Sequence, residues 1–337
     1  MAWRLQRNVY LFFVAVSAVL IAFTITNGLH AQSIRRQWQG IPCHGGNGFA
    51  AKYQPFCQAL NSEYIRSINS GQYLHWMALL PMALLGLVLG ANLVASEIDR
   101  NTVRTAWTQS ITRNHWFAIK VAVGLTSLVL LAVPLCVTAS WWINASKYTT
   151  RLQTNGFTYA GWMPLAVGIF AFAVATIIGT ILRRPGWSVA AALVVVLTLM
   201  LAVRTDVRTT LVPLRSTTIE MTTLTKRGVT VHVPQKLAPE NAWVVFNGLV
   251  PIHWSRGLPT WPQEAPWLHE ANRCPLSSAN TPNAYLTCLE KADLKNIVLY
   301  VADNEYWTLQ LREGGLYLGA AALLFAANLA LVRRARA

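Results

Sequence analysis

The stretch that decides the fold is residues 159–182, which reads YAGWMPLAVGIFAFAVATIIGTIL. It contains no charged residue, and apolar side chains occupy most of its positions. The hydrocarbon core of a bilayer is about 30 Å thick, and a helix needs about 20 apolar residues to cross it. This stretch is therefore predicted to be a transmembrane helix.

Further runs of similar character lie at 9–27, 74–95, 117–143, 187–203 and 316–332. A cleaved signal peptide is the alternative for the first run, since Arg4 and Arg7 precede it. That run is long for the apolar part of a signal peptide, so we expect a span there. The predicted fold class is an all-α polytopic membrane protein with six transmembrane helices.

Composition and charge predict the solvent and the orientation of these helices. Only 12% of the residues are charged and 54% are hydrophobic, although the net charge is +15. Soluble domains carry about 25% charged residues, so the composition favours lipid. The basic residues form short clusters instead of one stripe, which argues against nucleic-acid binding. Cytoplasmic loops are enriched in positive charge, so we expect cytoplasmic termini and a multi-pass protein of the cell membrane. The clusters on this side are Arg4 and Arg7; Arg100, Arg104 and Arg113; Arg183 and Arg184; and Arg333, Arg334 and Arg336.

The six runs divide the chain into three predicted parts. Residues 1–203 hold spans one to five, with an extracellular loop at 28–73 and a cytoplasmic loop at 96–116. Residues 204–315 are long enough for a small extracellular α+β domain between spans five and six. Residues 316–337 hold span six and a basic cytoplasmic tail.

Part of the predicted outer domain has the pattern of a β-hairpin. In residues 216–233, β-branched side chains alternate with polar ones on both sides of Lys226, Arg227 and Gly228. Alternation of this kind around a glycine-containing turn indicates two antiparallel strands.

The five cysteines are unevenly distributed. Cys43 and Cys57 lie in the first outer segment, Cys274 and Cys288 in the last, and Cys136 inside an apolar run. Under the predicted topology the first four lie in the oxidising exterior, where disulfides persist. We expect Cys43 to pair with Cys57 and Cys274 with Cys288, with cross-pairing between the two segments as the alternative, and Cys136 to be a buried thiol.

The sequence lacks the motifs of several enzyme classes. It has no H-E-x-x-H or C-x-x-C motif for a metal, no G-x-S-x-G elbow and no phosphate-binding loop. We therefore expect no enzyme activity, no metal and no cofactor on this chain. The spans also lack the ionisable groups that ion-coupled carriers use. Among their mildly polar residues, Asn92, Thr176 and Thr180 are candidates for lining a substrate path, although such residues most often bond to backbone or to neighbouring helices.

The segment between spans two and three is unusually long and polar for a cytoplasmic turn. Ser96 can cap a helix, and Glu97 and Asp99 suit the positive N-terminal end of one. Such a helix would present Arg104, Trp107 and Thr108 on neighbouring faces, as a docking element requires. A solvated loop whose arginines only hold the topology is the equally weighted alternative.

The same segment resembles the actinobacterial branch of ABC-2-type transporter permeases. The resemblance rests on residues 93–102, LVASEIDRNT, on residues 106–113, AWTQSITR, and on Trp116. It extends thinly to residues 3–7, to residues 306–310 and to the basic C-terminus. The chain departs from the family pattern at Asn101, where the family has glycine.

The resemblance implies a transporter built from two permeases and two ATP-binding-cassette ATPase subunits, with ATP and magnesium held by the ATPases. It further implies six helices per permease, a homodimer of permeases, a coupling helix between spans two and three, and export of amphiphilic, lipid-like, peptide or drug cargo. The coupling positions carried over are Glu97, Arg100, Thr102, Arg104, Trp107, Thr108, Gln109 and Arg113. Glu97 and Arg100 would orient the loop, and Trp107, Thr108 and Gln109 would contact the ATPase.

Two other classes of protein remain as alternatives. A membrane-anchored receptor or scaffold would use the chain to display its extracellular domain. A membrane-embedded enzyme would need a clustered acid, base or nucleophile at one face of the membrane, and the sequence shows no such cluster.

Overall fold

In the computed structural model, the backbone is described for residues 2–40, 54–99, 112–146, 154–218, 221–226, 229–234, 242–251 and 291–334, and for the single positions 152, 239 and 288. Two compact units divide the chain. The first comprises Met1–Leu211 and Trp307–Ala337, and the second comprises Val212–Tyr306.

Helices form the first unit. They are α1 (Ala2–Gly40), α2 (Gln54–Asp99), α3 (Arg113–Ser146), α4 (Thr154–Tyr159), α5 (Met163–Leu182), α6 (Pro185–Ala202) and α7 (Tyr306–Arg334). A π-helical segment, Val203–Val207, and a 3-10 turn, Arg208–Thr210, follow directly after α6.

Five helical segments in the described part of the chain are long and apolar enough to cross a membrane. They are Tyr10–Gln37, Asn114–Ala145, Met163–Leu182, Pro185–Thr210 and Asp303–Arg334. The remaining predicted span, 74–95, falls within α2, where the described apolar part is the shorter segment Leu79–Leu93. The chain is thus a polytopic helical protein, and a sixth span stays a prediction.

The predicted extracellular loop 28–73 is largely helical. α1 continues to Gly40 and α2 already begins at Gln54, so the two helices have 39 and 46 residues. At 1.5 Å per residue they are about 58 and 69 Å long, well beyond the thickness of a bilayer.

The extended parts of α1 and α2 are in contact in the described part of the chain. Ala31 and Ile34 are buried, and His30 Nε2 lies 3.5 Å from Glu63 Oε1. Burial raises the pKa of the Tyr64 phenol, and the nearby charge of Arg35 opposes that shift. The length of an apolar run therefore predicts which residues can cross the bilayer, but it does not predict where the helix ends.

The centre of the helical unit is the contact between α2 and α5. A Cβ atom added at Gly86 would lie 2.3 Å from the carbonyl oxygen of Gly168, and one added at Gly90 would lie 2.3 Å from that of Phe172. Only residues without a side chain permit backbones to approach so closely. α5 is consequently the most buried of the five apolar segments.

α5 and α6 form a helical hairpin with a very short connection. Arg183 ends α5 with a left-handed backbone, φ 57°, and its N–H donates to the carbonyl of Gly179. Arg184 is extended and Pro185 begins α6. The two helices therefore run antiparallel as neighbours.

β-structure forms the second unit. A three-stranded antiparallel sheet has the order β1 (Arg215–Thr218), β5 (Leu294–Val301), β4 (Trp243–Pro251), with an irregularity between Val244 and Phe246. β2 (Met221–Lys226) and β3 (Val229–Pro234) pair antiparallel with Lys226 opposite Val229, so the predicted hairpin is confirmed. The second unit, Val212–Tyr306, is shorter than the predicted outer domain 204–315. Residues 204–210 continue the helical path of α6, and residues 307–315 already belong to α7.

Candidate functional site

The predicted coupling residues lie at the limit of the described structure. Arg100, Thr102, Arg104, Trp107, Thr108 and Gln109 fall outside the described residues. The backbone of Glu97 belongs to the last turn of α2 and that of Arg113 to the first turn of α3, but their side chains are also outside the described part. Their roles in coupling remain predictions.

The start of α3, immediately after this loop, is held by the far end of the chain. Arg333 Nε donates a hydrogen bond of 2.8 Å to Asn114 Oδ1. Trp116, Phe117 and Val332 form a buried apolar cluster directly beside this bond. The exit of the predicted coupling loop is therefore packed against the C-terminal end of α7.

Two further features shape this inner cluster. The backbone N–H of His115 points to the Thr112 hydroxyl at 3.4 Å, which gives α3 a side-chain cap at its first turn. The ammonium of Lys120 lies 5.3 Å from the centroid of the Trp116 ring, within the range of a cation–π contact. We call Asn114, Trp116, Phe117, Val332 and Arg333 the inner cluster.

The three residues proposed for a substrate path bond to their own helices. The fully buried Thr176 hydroxyl donates to the carbonyl of Phe172. The Thr180 hydroxyl donates to the carbonyl of Thr176, and Asn92 Nδ2 donates to that of Val88. Thr176 thus lies inside the packed helices, whereas Asn92 and Thr180 are half-buried, and their role in a path stays a prediction.

A buried ion pair is the most distinctive polar feature of the described residues. Arg208 Nε donates to Glu313 Oε2 at 2.8 Å and Arg208 Nη2 donates to Glu313 Oε1 at 2.7 Å. The side chains are only 2% and 1% exposed. Two parallel bonds between a guanidinium and a carboxylate form one of the strongest polar contacts in proteins, and deep burial makes loss of either partner costly.

Neighbouring groups complete the surroundings of this pair. Arg208 Nη2 also donates to the Thr158 hydroxyl at 3.2 Å, and the guanidinium lies 4.7 Å from the centroid of the Phe157 ring. Gln310 Nε2 donates to the carbonyls of Phe157 and Ala160, both at 3.2 Å. We call Arg208, Glu313, Thr158, Phe157 and Gln310 the outer cluster, since the predicted topology places all of them towards the exterior.

The helical distortion after α6 precedes Arg208 directly. π-helical segments are rare, often occur at functional sites, and shift the direction of the side chains that follow.

Sequence reasoning missed the ion pair because it assigned both residues to an outer domain. A signal was present, since Glu313 is the only acidic residue between Glu305 and the C-terminus, close to a long apolar run.

The described residues contain no group of three or more His, Cys, Asp or Glu side chains that could hold a metal ion.

Cys136 is a free, buried thiol. Cys288 takes part in a disulfide. Each predicted pairing, Cys43 with Cys57 and Cys274 with Cys288, involves a side chain outside the described residues, so the pairings stay predictions.

Comparison with known proteins identifies the family. The model of the family described as ABC-2 membrane transporter related matches residues 11–208, from the first apolar helix to the arginine of the ion pair. No curated protein and no solved structure shows significant similarity to the chain. The matched region covers more than half of the chain. The chain therefore belongs to the ABC-2 membrane transporter related family and is a membrane permease of an ATP-binding-cassette transporter, a multi-pass protein of the cell membrane.

Proposed function

We propose that this chain is the permease of an exporter for amphiphilic cargo and that two copies of it work with two copies of a separate ATPase. The family match is the observation that carries this proposal. The chain has no phosphate-binding loop, so ATP and magnesium would be held by the partner ATPase. An ABC-2 permease associates with an ATP-binding-cassette ATPase, typically in a dimeric arrangement.

The contacts between helix ends support the proposed topology. Asn114 and Arg333 bring the start of α3 and the end of α7 together. At the outer ends of predicted spans one and three, Trp142 Nε1 donates to Asn27 Oδ1 at 2.9 Å. The first contact joins two segments predicted to be cytoplasmic, and the second joins the outer ends of two predicted spans. The arginine clusters then favour cytoplasmic termini.

In the proposed mechanism the loop 96–116 is seated on the ATPase. ATP binding closes the two ATPases, and their movement displaces the loop and shifts the permease dimer between inward-facing and outward-facing arrangements. No bond is made or broken on this chain. Mildly polar spans suit a cargo that is itself amphiphilic and partitions from the lipid.

Affinity purification from native membranes in mild detergent tests the class of protein. We expect an ATPase with a phosphate-binding loop to be recovered in equal stoichiometry with the tagged chain. Reproducible recovery of the chain alone would favour a receptor or scaffold that displays the unit Val212–Tyr306.

Substitution in the loop tests the site of docking. Trp107→Ala removes a large amphipathic side chain of the kind that dominates interfaces, which should cost about 2 kcal/mol, or about 30-fold in ATPase affinity. Glu97→Lys should weaken association as well, because it reverses a charge that can pair with a basic group on the ATPase. Trp187→Ala is the matched control, since Trp187 is 71% exposed on α6 and outside the loop. Normal ATPase recovery and stimulated hydrolysis in both loop variants would contradict docking at this loop.

A further inference from the structure

α7 carries polar contacts at both of its ends. Glu313 lies in the outer cluster and Arg333 in the inner cluster. The two residues are 20 positions apart, which corresponds to about 30 Å along a helix, the thickness of the hydrocarbon core. One continuous helix therefore joins the two clusters.

The inner end of α7 contacts the residues that directly follow the predicted coupling loop. Val332 packs against Trp116 and Phe117, and Arg333 bonds to Asn114. The contact combines an apolar cluster with a directional hydrogen bond, so a displacement of the first turn of α3 displaces α7 with it.

The outer end of α7 is fixed beside the points where the chain leaves and re-enters the helical unit. The unit ends at Leu211 and resumes at Trp307. Arg208 precedes the first point by three residues and Glu313 follows the second by six. An Arg312 guanidinium N–H also donates to the carbonyl of Leu211. The two connections of the second unit are thus held by α7 itself.

The packed face of α7 also contains the polar residue Asn328. Asn328 is fully buried, and neither its amide nitrogen nor its amide oxygen has a hydrogen-bond partner in the described part of the chain. Three residues away on the same face, the ring of Phe325 packs against that of Phe172 on α5. A buried amide without a partner is unfavourable, so any shift of α7 that provides one is favoured at this position.

We propose that α7 transmits the movement of the coupling loop across the membrane to the two chain connections of the unit Val212–Tyr306, with Asn328 favouring its displacement. This inference rests on the proposed function, because the movement begins with an ATPase on the loop. Val332 and Arg333 are positioning residues at the inner end, and Arg208 and Glu313 fix the outer end. Interfaces of packed helices shift between discrete positions, which allows one helix to link distant sites.

Two fluorescent probes on the full chain test the transmission. With Cys136→Ala as background, an environment-sensitive dye is attached either to His115→Cys beside the inner cluster or to Thr210→Cys beside the outer cluster, both exposed positions. The labelled chain is reconstituted with its ATPase in lipid nanodiscs and ATP is added. We expect a change of emission at both positions.

The double variant Val332→Ala with Arg333→Gln separates the two ends. The response at His115→Cys should persist, whereas the response at Thr210→Cys should fall at least fivefold. Arg334→Gln removes the same charge from the adjacent exposed residue and should leave both responses unchanged. An unchanged outer response in the double variant, or an inner response without an outer one in the unsubstituted chain, overturns the inference alone. Absence of ATPase binding and of both responses in the unsubstituted chain overturns the proposed function and the inference together.

Asn328→Leu tests the role of the buried amide. Leucine has the same number of side-chain heavy atoms, branches at the same carbon and has no polar atoms, so it should stabilise the present arrangement, raise the melting temperature and lower the outer response at least twofold. Ser127→Ala is the control, because the Ser127 hydroxyl donates to the carbonyl of Val123 in its own helix. An outer response equal to that of the unsubstituted chain would remove Asn328 from the mechanism.

Discussion

α5 and α6 are consecutive helices of nearly equal hydropathy with opposite surroundings. Only Arg183 and Arg184 separate them. In the most apolar 18-residue stretch of α5, 61% of the residues are buried, against 17% in that of the segment that contains α6. The glycines Gly168 and Gly179 permit α5 to approach α2 closely. α6 instead presents large apolar side chains outward, including Trp187, Val194, Leu197 and Leu201.

This difference shows that an apolar helix can be surrounded either by other helices or by lipid. Lipid tails are as apolar as leucine, so a hydrophobic driving force does not distinguish a helix–helix contact from a helix–lipid contact. Close packing decides between them, and it depends on small residues and polar contacts. The buried ion pair holds the segment that follows the end of α6, and the following substitutions compare that end with the rest of both helices.

The largest effect is expected for Glu313→Gln. The variant leaves the charge of Arg208 buried without its counter-charge, which should lower the free energy of unfolding by about 3 to 5 kcal/mol. Denaturant titration in detergent measures the loss. Asp206→Asn is the control, since Asp206 is exposed and only two residues from Arg208. Equal stability of both variants would show that the ion pair does not fix α6.

A paired replacement sharpens that result. Arg208→Leu together with Glu313→Leu removes both charges, and apolar replacement of a complete buried pair is often neutral or stabilising. We expect the double variant to recover most of the stability lost in Glu313→Gln while losing the specific orientation of the outer cluster. The ATP-driven dye response at Thr210→Cys should therefore remain reduced in the double variant, and a full response would contradict a functional role of the pair.

An intermediate effect is expected for Gly86→Ala at the contact of α2 and α5. The new Cβ would lie 2.3 Å from the Gly168 carbonyl oxygen, so backbone must move. Overpacking of this kind costs about 1 to 3 kcal/mol. Gly319→Ala on α7 introduces the same methyl group where no atom lies within 4 Å, and alanine favours a helix over glycine by about 1 kcal/mol. The melting temperature should fall in the first variant and not in the second.

The smallest effect is expected on the outward face of α6. Leu197 is 51% exposed, and lipid replaces the contacts that Leu197→Ala removes, so stability should change by less than about 0.5 kcal/mol. The adjacent Val196 is fully buried, and Val196→Ala should cost about 1 kcal/mol because the helices cannot close the space. If Leu197→Ala is the more destabilising of the two, another protein surface covers this face.

Several parts of the fold were predictable because they depend on local sequence. Apolar runs located five segments that can cross a membrane, and alternation in residues 216–233 located the hairpin of β2 and β3. Both patterns follow from the periodicity of one element and the solvent around it. The resemblance around residues 93–116 led to the family that the match over residues 11–208 shows.

Other parts were not predictable because they depend on residues far apart in sequence. The extensions of α1 and α2 beyond the predicted spans are polar enough to resemble a loop, yet both continue as helix. The candidate path residues were chosen by polarity alone, but Thr176 is fully buried in the helix packing. The sequence also gave no partner for Glu313, because Arg208 lies 105 positions away.

The sequence by itself determined that this protein lies in a membrane, where its apolar helices are, which family it belongs to and which face its arginines favour. These properties follow from composition and from runs within single segments. Only the tertiary structure decided that α5 is central and α6 peripheral, that Arg208 pairs with Glu313, and that α7 joins the exit of the predicted coupling loop to the outer cluster. The physical reason is that partner choice in lipid depends on close approach and on buried polar bonds between distant residues, which hydropathy does not encode.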